Sequence, residues 1–289
     1  METIRTGVLD LAYERWGPDQ PAGTPVVLVH GFPDDARSWT RVAEALAAEG
    51  RQVAAPYLRG HGPTRFLDDA TPRSGQLGAL TQDLLDLLDA LGWDRVVLAG
   101  QDWGARAVQG VAAVAPERVE RLVSLGGYAL SWDQGGPPSY PQLQALWYQL
   151  LLRGGWGEGV LRGDPEGFSR HLWRIWSPTW GPDRAVDEAF AATAPSFANP
   201  DFADVVLSAY RDQPTDDRHA ALEGRLADGP PIAVPSVLLY GADDGLEPGG
   251  PDREGDAKRF PTLLGARTVE GAGHFLHRER PDAVVDALR

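Results

Sequence analysis

Short runs of uninterrupted apolar residues alternate along this chain with segments whose apolar positions recur every three to four residues. Leu9, Leu11 and Tyr13 alternate with other positions, as in a first strand. Residues 25–30 (Pro-Val-Val-Leu-Val-His) are a continuous apolar run stopped by Gly31, the pattern of a strand buried on both faces. A helix is predicted over about 38–49. Leu80, Leu84, Leu87, Leu88 and Leu91 then fall on one helical stripe, with Asp83, Asp86 and Asp89 on other faces, until Gly92 ends the pattern. Residues 95–99 predict the next buried strand, 100–104 a turn, and 105–114 a helix rich in small residues that closes before Pro116. Another strand is expected over 121–125. This alternation is the signature of an α/β protein, a mostly parallel sheet with helices on both faces.

Regular alternation stops near Leu130 and returns only after about Arg225. Between them the chain is rich in tryptophan, with several Pro and Gly and with helical rather than strand periodicity. The expected organisation is therefore a first part of an α/β core over 1–129, an inserted helical cap over 130–225, and the rest of the core over 226–289. Strands near 235–240 and 266–269 and a C-terminal helix from about Pro281 complete the second part. No internal repeat or low-complexity tract is present.

Composition narrows the function classes. The length of 289 residues suits one core with an insertion, and 43% hydrophobic content provides for a sizeable buried interior. With 41 acidic against 27 basic side chains the net charge is −14, which repels phosphate backbones and anionic membranes, so neither nucleic acid nor membrane is expected as a partner. There is no cysteine, hence no disulfide, no thiolate nucleophile and no thiolate metal site. Residues 1–5 lack an apolar signal core, and no apolar run approaches the ~20 residues of a membrane span. A cytoplasmic location is expected. Lys258 is the sole lysine, which reads as codon bias rather than function.

The chemistry is concentrated at Gly100-Gln101-Asp102-Trp103-Gly104. In a nucleophile elbow, small residues flank a reactive side chain on a tight strand-to-helix turn, because larger ones have no room. Alone, the pattern is ordinary turn chemistry. Between a buried strand and a helix it marks Asp102 as a nucleophile, and the N-terminus of the following helix favours an anion there. A carboxylate that attacked an ester carbonyl would give a reactive anhydride, whereas attack on saturated carbon gives an ordinary alkyl ester. The substrates expected are sp³ electrophiles.

This run resembles the Gly-x-Asp-Trp-Gly elbow of the epoxide hydrolases and haloalkane dehalogenases of the α/β-hydrolase superfamily, and the similarity covers nearly the whole chain. The resemblance implies an α/β-hydrolase fold with a mostly parallel eight-stranded sheet and an inserted cap, and no cofactor or metal. It implies His274, in Gly271-Ala272-Gly273-His274-Phe275, as the base that activates water, with His277 a weaker candidate; His30, His61, His171 and His219 read as structural. Asp244, in Gly241-Ala242-Asp243-Asp244, is implied as the acid that orients it, and Asp243 as a solvated neighbour. His30-Gly31-Phe32-Pro33 resembles the family's His-Gly-x-Pro turn with a cis proline, which gives the backbone N–H groups of Phe32 and Trp103 the role of an oxyanion hole. Arg59-Gly60-His61-Gly62 resembles a structural Arg-Gly-x-Gly turn; Tyr57 stands where the family often has an acid, so Arg59 lacks that local partner.

Two lid segments, Trp147-Tyr148-Gln149-Leu150 and Ala209-Tyr210-Arg211, resemble those that supply the paired tyrosines of epoxide hydrolases. Tyr148 and Tyr210 are therefore the expected proton donors to an epoxide oxygen, and Phe32, Trp103, Trp147, Tyr148 and Tyr210 the expected substrate-binding residues. Packing is the plainer account of both tyrosines. The halide alternative would use indole N–H groups of Trp103 and lid tryptophans, but Phe32 occupies the position of a halide-binding Asn. A haloacid would need a paired-arginine clamp; Arg106 matches one member, while Trp103 replaces the other. Lid tryptophans 147, 156, 173, 176 and 180 suggest an aromatic-lined pocket or amphipathic packing. The expected substrate is a small hydrophobic or aryl epoxide. A haloalkane or haloacid dehalogenase is the alternative, and a non-catalytic ligand-binding protein is a third reading that has no use for the Asp, His and acid.

Overall fold

The computed structural model describes residues 1–130, 138–180, 184–211 and 217–289. Nine strands form one sheet: β1 (Glu2–Arg5), β2 (Leu9–Trp16), β3 (Val26–Val29), β4 (Val53–Pro56), β5 (Arg65–Phe66), β6 (Val96–Gln101), β7 (Val119–Leu125), β8 (Ser236–Gly241) and β9 (Leu263–Val269). Eight of them make a continuous path, β1-β2-β4-β3-β6-β7-β8-β9, antiparallel through β2 and parallel from β4 onward. The two-residue β5 hangs on β2 and is too short to carry any apolar alternation. This is an α/β-hydrolase fold.

Helices α1 (Thr40–Ala48), α2 (Leu77–Leu91) and α3 (Trp103–Val114) join the first parallel strands. Between β7 and β8 the described residues form α4 (Tyr140–Ala145), α5 (Trp147–Arg153), α6 (Trp156–Gly163), α7 (Pro165–Trp176), α8 (Arg184–Thr193), α9 (Phe202–Tyr210) and α10 (Ala220–Ala227), with no strand among them. Then come α11 (Arg253–Arg259), α12 (Leu276–Glu279) and α13 (Pro281–Leu288). The helix expected from residue 38 begins instead as a 3₁₀ turn, Ala36–Trp39, because the Asp35 side chain accepts the Arg37 N–H at 2.9 Å.

The apolar strands feed two cores at once. Val27, Val29, Val96, Leu98, Leu122 and Leu238 face α2 and α3, while Val26, Leu28, Val97, Ala99, Val123 and Leu239 face α1 and α13. That two-sided burial is why these strands read as continuous apolar runs. Each Val or Leu among them contributes about 1.5–3 kcal/mol on burial. Tyr148, Trp173, Trp176, Phe190, Phe202 and Tyr210 of the inserted helices join the first of these cores, together with Phe32 and Trp103. Among the described residues no helix is long and apolar enough to cross a membrane.

Arg59 is buried, and its partner is not a residue of its own turn. Asp83 of α2 accepts from Nε and Nη2, each at 2.6 Å, and the Ser74 carbonyl accepts from Nη1 at 2.9 Å. Tyr57, where an acid was the expected local partner, donates instead to Glu14 at 2.8 Å. Removing one member of a buried ion pair strands the other charge, at about 3–5 kcal/mol. Asp83→Ala is therefore expected to lower the melting temperature by roughly 10 °C, and Asp83→Leu with Arg59→Met to restore most of it. A melting temperature within 2 °C of wild type for the single variant contradicts this account.

Candidate active site

The parallel strands run in one direction, so their C-terminal ends lie along one edge of the sheet, where open α/β sheets place their ligands. Asp102 follows β6, Asp244 follows β8 and His274 follows β9. Asp102 has φ 53° and ψ −119°, and among the described residues it is the one non-glycine with a positive φ. A non-glycine residue there is strained, and the surroundings must hold it. Glycines give them room: a Cβ at Gly100 would lie 2.3 Å from the Gly104 carbonyl oxygen, and one at Gly104 would lie 2.1 Å from the Val29 oxygen. A Cβ at Gly31 would sit 2.4 Å from the Asp102 Cβ. The chain therefore closes around this side chain without clashing.

The Phe32 N–H donates to Asp102 Oδ1 at 2.8 Å, and the Phe32–Pro33 peptide is cis, as the His-Gly-x-Pro resemblance implied. Trp103 opens α3, one residue beyond Asp102. His274 Nε2 lies 3.7 Å from Asp102 Oδ2, and Nδ1 lies 2.9 Å from Asp244 Oδ2. The second oxygen of Asp244 accepts the Leu246 N–H at 2.8 Å, so both ends of that carboxylate are fixed. Burial by itself would lower the His274 pKa; the charges and hydrogen bonds of Asp244 and Asp102 win and raise it to about 10.

Tyr148 and Tyr210 come together near Asp102. Their rings are 5.6 Å apart and edge-on, both are buried, and both feel the charge of Asp102. Burial pushes both hydroxyls above the ordinary phenol range, which keeps them protonated. The Tyr210 oxygen accepts the Trp103 indole N–H at 3.2 Å, and the Tyr148 oxygen accepts the Gln149 amide at 3.2 Å. Gln149 was not singled out in the sequence; its position directly after Tyr148 was the available signal.

The tryptophans sort differently from an evenly lined pocket. Trp176 stands 4.9 Å from Tyr148 and 5.1 Å from His274, and its indole N–H has no partner among the described residues. Trp147 instead packs its ring on Phe168 and His171, and Trp156 is 82% exposed. Trp173 donates its N–H to the Pro33 carbonyl at 2.6 Å and stacks on Trp180. Arg106 donates to the Ala129 carbonyl at 3.2 Å, and Asp243 is exposed. His277 is buried against Trp39 and Asp34, and Asp34 is held low by Arg278 despite its burial. Burial lowers the pKa of His61 to about 3. No group of acidic and histidine side chains suited to a metal occurs among the described residues.

Residues 24–281 match the α/β hydrolase fold family, and the chain belongs to it. It is an enzyme of the hydrolase class. Epoxide hydrolase A of Mycobacterium tuberculosis is 30% identical over 300 residues, covering 93% of this chain and 90% of that one. An epoxide hydrolase of Caballeronia sordidicola is 26% identical over 306 residues, covering 93% and 88%. A crystal structure from Klebsiella pneumoniae, described as a proposed epoxide hydrolase, superposes with a TM-score of 0.92 at 38% identity, covering 99% of this chain and 95% of that one. The protein is thus epoxide-hydrolase-like in sequence and in fold.

The raised pKa of His274 carries a pH dependence of fixed sign. Its imidazolium contributes stability in full below the ordinary value of 6.5, and the contribution is lost as pH rises towards about 10. Taking away the Asp102 charge removes one of the raising influences. NMR titration should therefore show the His274 ring titrating near 10 in the wild type and clearly lower in Asp102→Asn. An unchanged midpoint in the variant would mean that Asp102 does not act on His274.

Proposed function

We propose that this chain is an epoxide hydrolase that works through a covalent ester on Asp102, with His274 and Asp244 completing the triad. The observation that carries the reading is the pair of buried hydroxyls of Tyr148 and Tyr210, kept protonated by burial and near enough to the Asp102 carboxylate to feel its charge. A strained ring opened by a carboxylate leaves an alkoxide-like oxygen, and two phenol donors on the opposite side are what that oxygen needs. Residues 130–225 act in this reading as a cap that delivers the tyrosines to a core made of 1–129 and 226–289.

The two oxygens of Asp102 divide the work. Oδ1 is held by the Phe32 N–H, so Oδ2 is free to attack a ring carbon as the C–O bond breaks and a tyrosine gives its proton to the leaving oxygen. Esterified, Asp102 is neutral. His274 then loses a neighbouring charge that raised its pKa and releases its proton, which restores the tyrosine, and the free base takes a proton from water. Water adds to the ester carbonyl while Oδ1 carries the developing charge in the hole of the Phe32 and Trp103 N–H groups. Collapse breaks the ester C–O bond, the departing oxygen takes the proton left on the added hydroxyl, and the diol leaves with the Asp102 carboxylate restored. Phe32 packs on Trp103, which adjoins Asp102, and on Trp176, which lies beside His274, and these aromatic neighbours support a hydrophobic or aryl epoxide over a charged one.

The halide reading rests on the unpartnered indole N–H of Trp176. Against it, the Trp103 N–H is already given to Tyr210. Assays with styrene oxide and a haloalkane panel separate the two: diol without halide release is expected, and halide release without diol overturns the proposal. In a single turnover in ¹⁸O water, the diol should be unlabelled and the label should enter the Asp102 carboxylate. Tyr148→Phe and Tyr210→Phe should each slow ring opening by roughly 10²-fold. Full activity in both variants removes the tyrosines from the mechanism.

A further inference from the structure

Helix α7 ends directly over the two loops that carry Asp244 and His274. The carbonyl of its last residue, Trp176, accepts two backbone N–H groups, from Gly245 and from His274, each at 3.0 Å. One oxygen of the inserted helices thus ties the acid loop to the base loop. Next in the chain, Ser177 is 3% exposed; its Oγ accepts the Phe275 N–H at 3.0 Å and donates to Glu279 Oε1 at 2.7 Å. That same Glu279 oxygen accepts the Gly273 N–H at 3.0 Å, and the other accepts the Thr179 hydroxyl at 2.8 Å. The backbone N–H groups of residues 273, 274 and 275 are therefore all fastened, one after another, to this corner.

The fit leaves no slack. A Cβ at Gly245 would fall 2.2 Å from the Ile175 carbonyl oxygen, and one at Gly273 would fall 2.6 Å from the Ser177 Cα. Both catalytic loops approach the corner as closely as a bare backbone allows. Because Asp244 and His274 arrive on different strands, β8 and β9, their 2.9 Å contact depends on how the two loops are held relative to each other.

From this we infer that Ser177 and Glu279 are positioning residues for the ester-hydrolysis step, which makes the inserted helices a part of the base machinery as well as the source of the tyrosines. The inference rests on the covalent mechanism proposed above. Ring opening uses Asp102 and the tyrosines, whereas ester hydrolysis uses His274, so loosening the corner slows the second step and spares the first. A misplacement of about 1 Å in such a group can cost on the order of 10²-fold. Glutamine in place of Glu279 keeps an amide oxygen to accept from Ser177 and Gly273, while alanine keeps nothing.

The test is stopped-flow tryptophan fluorescence with trans-stilbene oxide on wild type, Ser177→Ala, Glu279→Ala and Glu279→Gln, beside proton NMR of the His274 Nδ1–H bound to Asp244. Ser177→Ala and Glu279→Ala are expected to form the alkyl-enzyme within about twofold of the wild-type rate and to hydrolyse it at least about tenfold more slowly, with Glu279→Gln restoring most of the loss. The low-field Nδ1 proton should shift or broaden in the two alanine variants. Hydrolysis at the wild-type rate overturns the inference, and so do an equal loss of both steps or a glutamine as damaging as alanine. If wild type forms no alkyl-enzyme, the covalent mechanism fails by itself; the NMR signal then decides the positioning, and an unchanged resonance in both alanine variants overturns it.

Discussion

A single strained backbone position organises the site. Asp102 at φ 53° can exist only where β6 breaks sharply into α3, and the turn is tight enough that Gly31, Gly100 and Gly104 have no space for a Cβ. The strain costs on the order of 1–3 kcal/mol. The central parallel strands offset it, each buried on both faces by Val and Leu side chains. Out of that turn come the exposure of the carboxylate at the sheet edge, its hydrogen bond from Phe32, and its placement within reach of His274.

Charge is arranged around that position in two layers. Asp102 and Asp244 flank one histidine and raise its pKa, against the burial that would lower it. Near them stand two phenols that burial keeps protonated, each with its oxygen already accepting one N–H. In the proposed mechanism, an ester on Asp102 would remove the charge that both layers answer to. Under that proposal the step that consumes Asp102 would also prepare His274, coupling the two half-reactions through electrostatics.

The parallel core was legible in the sequence because strands buried on both faces must be apolar at every position, and the helices beside them repeat every three to four residues. The spacing of glycines around Asp102 was legible for a steric reason, and the tyrosines through the resemblance of two short segments. What could not be read depends on distant contacts. Asp83 as the partner of Arg59 lies on another helix, and the β5 pairing involves two residues without pattern. Trp147 and Trp176 look alike along the chain, yet one packs against Phe168 and the other stands beside His274. Ser177 and Glu279 are ordinary polar residues until the fold brings the end of α7 against α12.

The central claim is that Asp102 forms a covalent ester with the substrate, and intact-protein mass spectrometry of His274→Asn mixed with trans-stilbene oxide tests it most directly. With the base removed, the ester should persist. A mass gain equal to one molecule of epoxide, mapped by peptide analysis to Asp102 and absent in Asp102→Asn, is the predicted result. An unmodified protein that still produces diol, or an adduct on any other residue, contradicts it.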